Sequence, residues 1–169
     1  MSRAALVRAG GTAAIIGGIL RAAAAFAPRF GSDIAQQLLY LVVDVFLLLG
    51  LLGLYALLHQ HVGRTGALEF VLALVGLVVV RSSRVIPGLD LYPLGALIFA
   101  GGLIALAGSA WSVKMLTAWV PAALVASTLL GFVGTVAANA GALFVLSGVL
   151  FGAAFAALGR ELCSAARRL

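Results

Sequence analysis

The chain has 169 residues, 64% of them hydrophobic and 9% charged, with a mean hydropathy of +1.22. Soluble domains are about 45–50% apolar and about 25% charged, so this composition excludes a water-solvated globule and implies lipid as the solvent. The formal charge of +6 comes from basic residues scattered at segment ends, with no basic run. That pattern suits anionic lipid and membrane topology and speaks against nucleic acid as a partner.

About 20 apolar residues span a bilayer core, and hydrocarbon tolerates them only as helices because no backbone amide can stay unpaired there. Six stretches qualify. The first is expected near residues 7–27, stopping at Pro28. Arg3, Arg8, an apolar run and Ala25-Phe26-Ala27 resemble a secretory signal. Arg21 and two glycine pairs interrupt that run, so an uncleaved helix is expected instead. The second stretch, near 34–59, carries Asp44. The third, near 66–85, ends before Pro87-Gly88. The remaining three lie near 91–111, 116–136 and 141–162.

Turn chemistry separates them at Gly31-Ser32-Asp33, Gly63-Arg64-Thr65-Gly66, Pro87-Gly88-Leu89-Asp90 and Asn139-Ala140-Gly141. Loops this short make sequential helices antiparallel neighbours. The expectation is one all-α domain over residues 1–169, an integral membrane bundle of about six transmembrane helices. With the N-terminus inside, the cytoplasmic side holds Arg3, Arg8, Arg64, Lys114, Arg160, Arg167 and Arg168, against Arg29, Arg81 and Arg84 outside. Both termini are therefore expected to be cytoplasmic, at a bacterial inner membrane. Trp111 and Trp119, flanking Lys114, suit an interfacial aromatic belt.

Helices in lipid associate through small residues that let backbones approach. Two ridges at i+4 spacing stand out: Ala123, Ser127, Gly131 and Thr135 in the fifth stretch, and Gly148, Gly152 and Ala156 in the sixth. They are expected to pack on protein, against each other. Gly17-Gly18-Ile19-Leu20 and Gly101-Gly102-Leu103-Ile104, with Gly50 and Gly134 at the same offset, hint at two inverted halves.

Asp44 is the most informative residue. It lies about ten residues into its helix, about 15 Å from that end and near the midplane. An aspartate there costs about 2.5–3.5 kcal/mol to insert, so it should face inward with a partner. Gln37, Tyr40, Asp44, Leu48, Leu51 and Tyr55 share one helical face. Arg21 lies at a similar depth and is the expected partner. The functional reading is a ligand site in the outer half, with Asp44 holding a cation or proton and Arg21 an anionic group. The structural reading is an ion pair that fixes helix register. The first three helices are expected to build the polar wall and the last three to act as scaffold.

His59, His61, Glu69, Glu161 and Cys163 gather near one face, but without the spacing of a metal site, so no metal is expected. Glu69 is expected at the interface, beside Arg64. A single cysteine forms no internal disulfide. Nothing fits haem, retinal or another cofactor, and no hydrolase or phosphate-loop motif occurs. In size and Gly/Ala richness the chain resembles the six-helix substrate-binding components of certain vitamin transporters, in architecture only. The expected function is non-enzymatic: binding or transport of a small solute or lipid, or service as a subunit, with membrane lipids, and either other membrane subunits or a second copy, as the candidate partners. The rival readings are an intramembrane enzyme acting on a lipid or isoprenoid with Asp44 as acid or base, and a pure scaffold.

Overall fold

A computed structural model describes residues 2–26, 33–82, 91–136 and 141–169. Arg29, Ser83, Arg84, Asp90 and most of three of the four turn segments named above lie outside the described residues. The elements, all helical, are α1 (Arg3–Ala24), α2 (Asp33–Ser82), α3 (Tyr92–Ser112), α4 (Trp119–Val136) and α5 (Gly141–Ala166).

Local chemistry sets several ends. The Ser2 hydroxyl accepts from the Ala5 amide at 3.3 Å and caps α1. Pro93 opens α3, where its missing N–H is no loss. After α3 the chain reverses through Lys114, which takes a left-handed φ of 58°. Glu161 of α5 then holds the start of α4, accepting from the Thr117 amide at 2.9 Å and from the Thr117 hydroxyl.

The 50 residues of α2 would make a rod of about 75 Å if straight, more than twice a bilayer core. They do not form one rod. Gly63 breaks the helix with φ 52° and ψ −130°. Tyr55 then stacks on Phe70 with ring centroids 4.7 Å apart, and Arg81 donates to the Gln37 carbonyl at 3.3 Å. Both contacts require two antiparallel arms, 33–62 and 64–82. The four-residue turn expected at 63–66 is thus a single non-helical residue; the amides on either side of it stay in helices.

Glycines set the interhelical register. A Cβ on Gly10 would overlap the backbone of Gly53, and one on Gly17 would lie 2.9 Å from the Phe46 Cβ, locking α1 antiparallel to the first arm of α2. Gly11 and Gly18 meet Gly159 and Gly152 in the same way, locking α1 to α5. Gly76, Gly95 and Gly102 join the second arm of α2 to α3, through Phe99, Val80 and Ala73. Such close crossings are how helices gain contact in lipid, where burial of apolar side chains gives no net drive.

Among the described residues, the two small-residue ridges do not meet each other. The Gly148–Gly152–Ala156 ridge seats on α1, at Arg21, Ala25, Gly18 and Ala22. The neighbouring α5 residue, Ser147, meets α4 instead: its hydroxyl donates to the Ser127 carbonyl at 2.7 Å, and it sits beside Gly131. Ala123 packs against the core, and Ser127 is buried. The reason is that α1 is central. It lies between α2 and α5, and its two glycine pairs present one notch to each.

Phe155, Leu51, Leu54, Leu58, Leu103, Leu106, Leu124, Leu158 and Leu162 fill the half of the bundle nearer the chain termini. Outside, Ile34 (72% exposed), Leu68 (65%), Leu129 (60%) and Ile19 (60%) project from the first and second arms of α2, from α4 and from α1. An apolar exterior on every side marks a body solvated by hydrocarbon. By length and composition α1, α2, α3 and α5 can each cross a membrane, and α4 holds a shorter apolar stretch. The chain is a multi-pass helical membrane protein.

Candidate functional site

The half of the bundle away from the termini is not filled. A cavity of about 400 Å³ opens there, walled by all the helices. Arg21 enters from the last turn of α1. Tyr40 and Asp44 come from the first arm of α2, and Leu77 and Arg81 from the second. Tyr92, Leu97 and Phe99 come from α3, Ser127, Thr128 and Phe132 from α4, and Phe144, Ser147 and Phe151 from α5.

Asp44 does sit inside the bundle, half-buried, and its described ion pair is with Arg81 at 3.6 Å rather than with Arg21. The register of the α2 hairpin decides this. Tyr55 faces Phe70 across it, and the same register brings residue 44 opposite residue 81. The tight turn at Gly63 carried that information: reflection about the turn sends 44 to the neighbourhood of 81. Arg81, read as an outer loop charge, instead turns inward.

Arg21 lines the same cavity without pairing. Its guanidinium lies against α5 where Gly148 has no side chain; a Cβ there would be 3.0 Å from Nη1. Among the described residues it makes no ion pair or hydrogen bond. Among the described residues, the cavity lining therefore holds two guanidinium groups and one carboxylate.

Tyr40 reaches the cavity and also ties the helices together, its hydroxyl donating to the Ala24 carbonyl at 3.3 Å, where the end of α1 leaves carbonyls unpaired. Gln37 is exposed and contributes its main-chain carbonyl to Arg81. Tyr55 lies deeper, between Phe70 and His59, outside the cavity lining. The stripe from Gln37 to Tyr55 is thus one helical face whose middle alone meets open space.

The polar wall is not confined to the first half of the chain. Ser127, Thr128 and Ser147 line it from α4 and α5. Ser127 and Thr128 donate to the Leu124 carbonyl at 2.8 and 2.9 Å, and Ser147 to that of Ser127. Their protons are spent, so their oxygens offer lone pairs to a ligand. Hydroxyl residues in apolar helices were the signal for this wall. At the inner end Phe99, Phe151 and Phe155 form an aromatic floor, with centroids 6.1 Å and 5.9 Å apart.

The acidic, histidine and cysteine side chains near the termini do not form a metal site. No group of three such ligands occurs among the described residues. Glu161 is engaged with Thr117, and the His59 Nδ1 lies 3.0 Å from the Ala56 carbonyl. The Cys163 thiol lies 3.8 Å from the Arg8 carbonyl. Glu69 accepts from the Ser109 hydroxyl at 2.8 Å between the second arm of α2 and α3, not from Arg64, and its Oε2 is buried without a partner among the described residues. Comparison with family models, with curated proteins and with solved structures finds no match to this chain.

Proposed function

We propose that this protein is a non-enzymatic, small-molecule-binding protein of a bacterial inner membrane. It crosses the bilayer six times with both termini in the cytoplasm, and it binds, or carries across, a small solute or lipid in the cavity at Asp44. The two arms of α2 supply two crossings, the first of about 30 residues and about 45 Å. The 18 residues of α4 give about 27 Å, a few ångström short of a hydrocarbon core of about 30 Å and within the length of the shortest spanning helices. Orientation follows the basic residues. Arg8, Arg64, Lys114, Arg160, Arg167 and Arg168 are exposed toward the terminal face, while Arg81 is occupied inside the bundle.

The observation that carries the reading is the cavity itself, apolar and aromatic with a few convergent polar groups, as ligand sites are. A scaffold needs no such space around its rarest intramembrane charges. The aromatic floor and packed leucine core beneath it suit a blind binding chamber better than a continuous pore.

Native mass spectrometry of the protein extracted with its lipids tests this. A copurifying small molecule is expected, lost from a folded Asp44→Asn variant. A protein that never carries a ligand would refute the binding role, and a ligand retained unchanged by Asp44→Asn would remove Asp44 from the site. One observation favours a lipid-modifying enzyme as a second reading: Asp44 and Tyr40 share the cavity. Arg81 beside Asp44 opposes it, because a carboxylate engaged by a guanidinium at 3.6 Å is held away from a substrate proton. Turnover of membrane lipid extract by the purified protein would decide for the enzyme.

A further inference from the structure

We propose that the cavity admits an amphiphilic anion sideways from the bilayer, between the start of α3 and the α4–α5 pair, and seats its head group on Arg21. This rests on the cavity being a binding site and names the ligand class and its route.

The charge argument comes first. Among the described residues lining the cavity, Asp44 is paired with Arg81, and Arg21 is the cation without an ion pair. A long arginine near a helix end ordinarily reaches for the membrane surface. This one lies instead across the bare backbone at Gly148, beside the cavity. An intramembrane guanidinium held inward with five unspent donors selects a carboxylate or phosphate head group. The Ser127, Thr128 and Ser147 oxygens can accept from a protonated head-group oxygen.

The wall argument is independent. Tyr92, Leu97, Phe132 and Phe144 line the cavity yet remain 46–56% exposed. A residue that is at once cavity wall and outer surface marks an opening. This opening is lateral. α3 packs on α2, and α4 on α5, whereas α3 and α4 touch sparingly after diverging from their turn at Lys114. Leu97 is about five residues into α3 and Phe132 about four from the end of α4, so the gap descends about 7 Å into the lipid-facing wall. An apolar tail passes such a gap easily, and Phe132, Phe144 and Phe151 offer it an aromatic bed.

The test uses full-length protein in zwitterionic nanodiscs with three probes: dodecyl phosphate and dodecanol, each with a diazirine on the tail, and inorganic phosphate as competitor. Dodecyl phosphate is expected to bind and to cross-link within 92–97 and at Phe132 or Phe144. Dodecanol should bind about tenfold or more weakly, and Arg21→Gln should weaken dodecyl phosphate by a similar factor, with partial rescue by Arg21→Lys. The head-group comparison on the unaltered protein holds even if Arg21→Gln fails to fold. Equal binding of dodecanol, or full affinity in folded Arg21→Gln, would overturn the anion assignment while cavity cross-links left the binding role standing. Displacement by inorganic phosphate at equal concentration would assign the site to a free anion and overturn lateral access. Absence of cavity cross-links from both diazirine probes would sink this inference, while a ligand copurifying in native mass spectrometry would keep the binding role.

Discussion

Gly148 and Gly152 stand one turn apart on the same face of α5, yet they tolerate a methyl group differently. A Cβ on Gly152 would strike the Gly18 carbonyl and lie 2.8 Å from the Ala22 amide, both fixed backbone. On Gly148 it would meet the Ala25 Cβ at 2.8 Å and the movable Arg21 guanidinium at 3.0 Å. Gly152→Ala should therefore cost about 1–3 kcal/mol, and Gly148→Ala less, by thermal unfolding in detergent. Gly148→Ala should also displace Arg21. Equal melting temperatures for the two variants would contradict this assignment of the α1–α5 crossing. Gly148→Ile, too large for either neighbour to accommodate, should destabilise the bundle outright.

Asp44 and Arg81 make the second prediction at this scale. The pair is half-open to the cavity, with side-chain exposures of 22% and 35%, so screening trims its strength. Asp44→Asn or Arg81→Gln should each cost about 1–2 kcal/mol, because each removes one half of an ion pair inside the bundle. The double variant should cost less than the sum, and strict additivity in the cycle would show that the two do not interact. That Asp44 lies inside the bundle was legible in the sequence from its depth and helical face. Its partner was not, because depth alone leaves Arg21 and Arg81 equivalent; the hairpin register separates them.

Most of the elements follow from long apolar runs, which fix where helices lie to within a few residues: near 91–111 expected against Tyr92–Ser112, and 141–162 against Gly141–Ala166. The turn at Gly63 is where this reading loses detail. Its polar neighbours suggest a loop, whereas one glycine with φ 52° and ψ −130° makes the reversal and nothing lies within 4 Å of its missing Cβ. Gly63→Ala therefore acts through backbone strain alone and should cost about 1–3 kcal/mol. Lys114, at φ 58°, is the reverse case: Lys114→Gly removes a left-handed penalty of about 1 kcal/mol and should raise the melting temperature. Opposite signs at two turns of the same face would separate conformational strain from a general glycine effect. The same sign in both would refute the strain argument.

At the scale of the whole molecule, the central position of α1 explains why so glycine-interrupted a helix is tolerated. Its apolar run is the weakest, but Gly10 and Gly17 are its contact with α2, and Gly11 and Gly18 its contact with α5. Composition could not tell a weak span from a central one. Six crossings and inside termini require the Gly63 turn to lie in the cytoplasm, since α2 then leaves and re-enters the bilayer core there. Arg64 is exposed at that turn, and Cys163 is the single native thiol. In a Cys163→Ser background, Arg64→Cys should react with a membrane-impermeant maleimide in inside-out vesicles and not in intact spheroplasts. Labelling in spheroplasts would reverse the orientation. A thiol unreactive in both preparations would place residue 64 within lipid, as a continuous α2 would, and the hairpin that carries Arg81 to Asp44 would be lost with it.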